Sequence, residues 1–182
     1  MKNTVLVISF FALSGVLGAA APQYQFSGEE AVSCLIRNGQ ARDCDLSNQD
    51  LRETMKTVNR EYRRMCISTD FLDANLSGAD LSGVDLSCAE MRDTNLTGAK
   101  LTGAKLINAV MRGANLTGAD LSGADLSYAD LSRAKLTGAN LTNANLTGAT
   151  MYQVDMTDAT VTGANMTDAR YLDTVIGYVP TK

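Results

Sequence analysis

The chain has 182 residues, enough for one domain with its own core, and its 45% hydrophobic content includes only 5% aromatics, with no Trp and no His. Sixteen Lys and Arg against twenty Asp and Glu leave a net charge of −4, which argues against a protein that binds nucleic acid by neutralising phosphates. Without histidine, any catalytic base has to be Asp, Glu, Lys or Tyr.

Residues 1–20 read as a secretory signal peptide: Lys2 is the charged start, Val5 to Leu17 is an apolar run, and Gly18 to Ala21 supply small residues for cleavage. The run is shorter than the ~20 residues that cross a bilayer, so no stable membrane anchor is expected after cleavage. The expected destination is an exported compartment: periplasm, thylakoid lumen or cell exterior. Export would put Cys34, Cys44, Cys66 and Cys88 where disulfides persist, and an even count suits two bridges. Three pairings are open, and sequence proximity alone favours Cys34 with Cys44 and Cys66 with Cys88. The wide spacing of these cysteines and the lack of histidine give no metal-ligand set, and no cofactor is expected.

Residues 22–66 read as an N-terminal helical cap. Ser27, Glu29 and Glu30 open a short amphipathic helix through Ala31, Val32, Leu35 and Ile36, which Asn38-Gly39 ends. Cys44 to Leu51 then looks like two stray five-residue repeats. A second helical pattern over 52–66 places Met55, Val58, Tyr62 and Met65 on one face. Its cations, with Arg60, Arg63 and Arg64 prominent, read either as the solvated face of a cap or as a docking patch for an acidic partner or membrane surface.

From Phe71 to Ile176 every fifth residue is apolar: thirteen Leu, five Met, Phe71, Val161, Tyr171 and Ile176. Two residues before each of these twenty-two positions stands Ala in seventeen cases. On an α-helix, positions five apart fall about 140° apart and make no face. On a flat strand the odd period sends successive leucines to opposite sides. The chain must therefore turn a corner once per unit, with Gly78, Gly98, Gly118 and Gly138 supplying the permissive backbone.

The pattern A-[DN]-L-[ST]-G, as in Ala79-Asp80-Leu81-Ser82-Gly83, resembles the pentapeptide-repeat family over roughly residues 69 to 178. The resemblance implies an all-β fold: a right-handed quadrilateral β-solenoid of four pentapeptides per coil, here spanning 67–182 behind the small helical cap. Stacked at that period, Phe71, Met91, Met111, Leu131, Met151 and Tyr171 form one inner column. Lys100 and Lys105 fall between Asp80 and Asp120 and between Asp85 and Asp125, and Asn75, Asn95 and Asn115 form a column able to ladder its amides. Tyr171, Leu172, Val175, Ile176, Tyr178 and Val179 are expected to close the far end. Some family members place C-x-x-C before such units; here Ala41 stands where the first Cys would be.

Carboxylates on a convex rod make poor active sites, so the expected function is non-catalytic: an exported structural or interaction module for an unidentified protein partner. Departures from the repeat, Tyr128, Arg133 and Lys135, are the candidate contact residues on the rod. Two alternatives stand beside this reading. Quinolone-resistance members of the family resemble an acidic duplex and bind gyrase, but the signal peptide and Lys100, Lys105, Arg112, Arg133 and Lys135 oppose a DNA mimic. The column Ser77, Thr97, Thr117, Thr137 and Thr157 suggests a flat binder of ice or polymer, although Ser or Thr is the ordinary repeat residue there.

Overall fold

The computed structural model describes residues 26–27, 41, 44–56 and 69–178. Within the repeats every five-residue unit follows one path, and its hydrogen bonds explain the consensus. Leu116 donates its N–H to the Lys135 carbonyl on the next coil at 2.7 Å, and Gly118 donates to Thr137 at 2.9 Å. Ala119 donates back to Leu116 at 3.0 Å, closing a turn, while Asn115 reaches the Thr94 carbonyl on the previous coil at 2.9 Å. The remaining N–H, that of Thr117, is taken by the Asn115 side chain, Oδ1, at 3.2 Å. Asp or Asn before the leucine therefore supplies the acceptor that the backbone lacks.

The turn places its third residue in the left-handed region, as in Gly118 at φ 65°, the backbone of a type II turn. One residue per side pairs with the coil above. The parallel series Asn75, Asn95, Asn115, Lys135, Asp155 advances twenty residues at a time, so four pentapeptides complete each coil of a β-solenoid. Leucines and alanines from all four sides meet on the axis, where Leu76 to Met151 are almost wholly buried. Each buried Leu contributes roughly 1.5–3 kcal/mol, offsetting the ordering of a chain with so little regular secondary structure. Thr94 replaces an alanine in this core and donates its hydroxyl to the Phe71 carbonyl at 2.8 Å.

The two stray pentapeptides lie directly beneath the repeats. Asp45 and Asp50 pair in parallel with Asn75 and Asp80, thirty residues on rather than twenty. The extra ten residues fall between Leu51 and Thr69. Strand β1, Phe26–Ser27, pairs in parallel with strand β2, Cys44–Asp45, continuing the stack downwards. Residues 52–56 are helical and bury Met55. Ser27, expected to open the first helix, lies in β1, and the rest of the expected helices, over 28–38 and 57–66, lies outside the described residues, as does Val179.

The far end departs from the expected register. A 3-10 turn at Leu172–Thr174 adds one residue, so Ile176 pairs with Asp155 at a separation of twenty-one. Tyr171 and Ile176, counted above as inner positions, consequently face outward, 53% and 57% exposed. Leu172, Val175 and Tyr178, like Val161, Ala164, Met166 and Ala169, instead pack, partly buried, against the core.

Candidate interaction surface

Four sides follow from four units per coil, and two of them are monotonous. The sides centred on Leu76 and Leu81 carry only Ser or Thr after each leucine, from Ser77 to Thr157 and from Ser82 to Thr162. The side centred on Phe71, Met91, Met111, Leu131 and Met151, hereafter the irregular side, instead carries Arg92, Arg112, Ser132 and Tyr152 at that position. Glu90, Val110, Asp130, Thr150 and Arg170 form its paired column.

Backbone strain gathers at the corners of this side. Asn and Asp tolerate left-handed φ, but larger side chains do so at a cost of roughly 1–2 kcal/mol. Tyr128 at φ 60° stands at the corner leading into the irregular side. Arg133 at 61° and Gln153 at 53° form its other corner, and Tyr171 at 61° ends it. Cys88, below Tyr128 in the same corner column, also has positive φ and is disulfide-bonded.

A shallow, open depression of about 620 Å³ runs along this side, lined by Asp93, Arg112, Gly113, Ser132, Arg133, Thr150, Tyr152 and Tyr171. Tyr152 and Tyr171 meet edge to face, ring centres 5.7 Å apart. Arg112 donates from Nε to the Asp130 carboxylate, which also accepts the Ser132 hydroxyl at 2.6 Å. Burial pushes the Asp130 carboxyl up, but these hydrogen bonds outweigh it and hold the group below its ordinary value. Arg133 and Arg170 are exposed and, among the described residues, make no ion pair or side-chain hydrogen bond. Lys135, exposed just past the Arg133 corner, stands between Asn115 and Asp155.

Of the residues singled out from sequence, Tyr128, Arg133 and Lys135 thus lie at or beside the corners of the irregular side. Cys44 is buried in the core. Arg60, Arg63, Arg64, Cys34 and Cys66 lie outside the described residues. Sequence reasoning missed Tyr152, Arg170 and the outward Tyr171. Stacking the residues after each leucine at a period of twenty would have shown Arg92, Arg112 and Tyr152 as one deviant column.

Two expected columns form only in part. Asn95 donates its amide to Asn75 at 3.0 Å, and Asn75 to Asp45 at 3.0 Å, but the ladder ends at Asn95, whose Oδ1 accepts both the N–H and the hydroxyl of Thr97. Lys100 and Lys105 stack between aspartates as expected, yet neither closes to ion-pair distance. Among the described residues no group of three His, Cys, Asp or Glu side chains could hold a metal ion, and no helix is long and apolar enough to cross a membrane.

The family model for pentapeptide repeats matches residues 66–98, 94–133 and 129–168, with 8 copies. The chain belongs to the pentapeptide-repeat family. Among solved structures it is similar to a pentapeptide repeat protein from the Arabidopsis thaliana thylakoid lumen, at 45% identity over 59% of this chain and 68% of that one, with a TM-score of 0.43. A pentapeptide repeat protein from Nostoc PCC 7120 shares 26% identity over 85% of this chain and 98% of its own, with a TM-score of 0.45. HetL, a pentapeptide repeat protein involved in heterocyst differentiation regulation from Nostoc sp. strain PCC 7120, shares 30% identity over 71% of this chain and 60% of its own, with a TM-score of 0.24. The comparison with curated proteins gave no match.

Proposed function

We propose that this pentapeptide-repeat protein is an exported, non-catalytic interaction module that docks a protein partner on its irregular side. The observation that carries the reading is the concentration of Tyr128, Arg133, Tyr152, Gln153 and Tyr171 on and around one side, while two other sides keep the plain repeat. Tyr and Arg are the residues that dominate binding energy at protein interfaces. Strain retained at exposed corners, where glycine would fit, fits a role outside folding. Export rests on the N-terminal sequence and is in keeping with the bonded Cys88.

The test is capture from the exported fraction of the source cells by the immobilised chain and by a variant with Tyr128→Gly, Arg133→Gly, Tyr152→Ser and Gln153→Gly. A specific partner held by the former and lost by the latter is expected. Identical capture by both would remove the irregular side from the account.

A further inference from the structure

Resting on that reading, we infer that the irregular side takes an acidic, extended segment of its partner, with Arg133 and Arg170 as the carboxylate-binding residues. The depression spans the coils that hold Asp93, Gly113, Arg133, Gln153 and Tyr171, about 19 Å at ~4.8 Å per coil. Roughly six extended residues cover that length. Its floor is shallow, which suits a strand-like segment rather than an enclosed small molecule.

What separates this side from the rest of the rod is two arginines unengaged among the described residues, not net charge, for its six carboxylates, Asp70, Asp73, Glu90, Asp93, Asp130 and Asp173, outnumber its four arginines. The chain as a whole is acidic at −4, and the sides bearing Lys100 and Lys105 set each lysine between two aspartates. On the irregular side, Arg112 is already engaged by Asp130, but Arg133 and Arg170 are exposed and, among the described residues, no carboxylate pairs with either. Lys135, beside the Arg133 corner, stands next to Asp155 on the following coil, which offsets its charge. Of the acids nearby, Asp93 lies at the lower rim, two coils below Arg133, Asp130 is held by Arg112, and Asp168 and Asp173 flank Arg170 in sequence without an ion pair to it. Carboxylates of a bound segment would therefore settle in the upper half, between Arg133 and Arg170. A planar guanidinium takes a carboxylate with two parallel hydrogen bonds, and the Tyr152–Tyr171 pair offers apolar ring surface for the segment's stem between them.

The test is an NMR titration of the chain with a ten-residue peptide of alternating Glu and Gly, its Gln-for-Glu analogue, and free glutamate. The Glu peptide is expected to bind weakly and to shift the side-chain N–H signals of Arg133 and Arg170, while the Gln analogue leaves them in place. Arg133→Gln and Arg170→Gln should each raise its Kd at least threefold, and together at least tenfold; Lys100→Gln and Lys105→Gln should leave it within twofold. Equal weakening by the Lys100 and Lys105 variants, failure of the Glu peptide to shift either arginine, or free glutamate binding as tightly as the peptide would each overturn the inference. If partner capture depends on the irregular side while the Glu peptide does not bind, the acidic-segment inference falls alone. If capture does not depend on that side, the proposed function falls with it.

Discussion

The ring of Tyr128 lies against Gly148 on the next coil, so closely that a Cβ at Gly148 would sit 2.6 Å from Tyr128 Cε1. Glycine is needed there twice over, because its φ is also +68°. Gly138, at φ +66°, has open space at the same point. Gly148→Ala should therefore cost more than Gly138→Ala, about 2–3 kcal/mol against ~1 kcal/mol. In a Tyr128→Gly background the two costs should converge, which equilibrium urea unfolding of the four variants measures.

Depth in the stack should set the cost of losing an inner side chain. Leu116 is fully buried with coils on both sides, whereas Met166, near the end of the stack, is only partly buried. Leu116→Ala should destabilise by about 2–5 kcal/mol, and Met166→Ala by about half of that or less. Thermal unfolding followed by circular dichroism checks the ranking.

Thr94 should behave as a satisfied polar residue rather than a misplaced one. Its hydroxyl, wholly buried, bonds the Phe71 carbonyl on the previous coil. Thr94→Val keeps the volume but loses that bond, costing about 0.5–1.5 kcal/mol by the same unfolding measurement.

Acid should loosen the rod, and neutral pH changes should not. Hydrogen bonding from Arg52 lowers the Asp50 carboxyl to about 2. Asp80 is lowered first by the Ser82 N–H, Asp120 by the Ser122 hydroxyl and Asp155 by the Thr157 hydroxyl. A carboxyl lower in the folded than in the unfolded chain stabilises the fold fully above its unfolded value, near 3.8, and stops doing so as pH falls through its folded value. With no histidine to titrate, the melting temperature should be flat between about pH 5 and 8 and fall between about pH 4 and 2. Asp50 is exposed and Asp80, Asp120 and Asp155 are only partly buried, so added salt should shrink the drop.

The solenoid was legible because its signal is steric and repeated. A side chain like Leu116 has one inner place to go, and the period of five admits no other regular backbone. The role of Asn115 towards the Thr117 N–H was not legible, because a polar residue at an outward position looks like solvation until the turn shows which N–H lacks a carbonyl. The far end misled for a related reason. Counting by five carries Tyr171 and Ile176 inward, but nothing in a count reveals that Leu172–Thr174 tightens into a 3-10 turn and shifts the register by one. Tyr128 and Arg133 stood out as breaks in the pattern, whereas Tyr152 and Arg170 became their neighbours only once coils were stacked.

The central claim is that exposed corner residues on the irregular side are kept for contact and not for folding. Equilibrium unfolding of the Tyr128→Gly, Arg133→Gly, Gln153→Gly variant tests it most directly. Relief of left-handed strain, about 1–2 kcal/mol per site, exceeds the roughly 0.5–1 kcal/mol that glycine loses in chain entropy. The variant should therefore be more stable than the native chain by about 0.5–1 kcal/mol per site. A variant less stable than the native chain would show instead that these side chains hold the rod together.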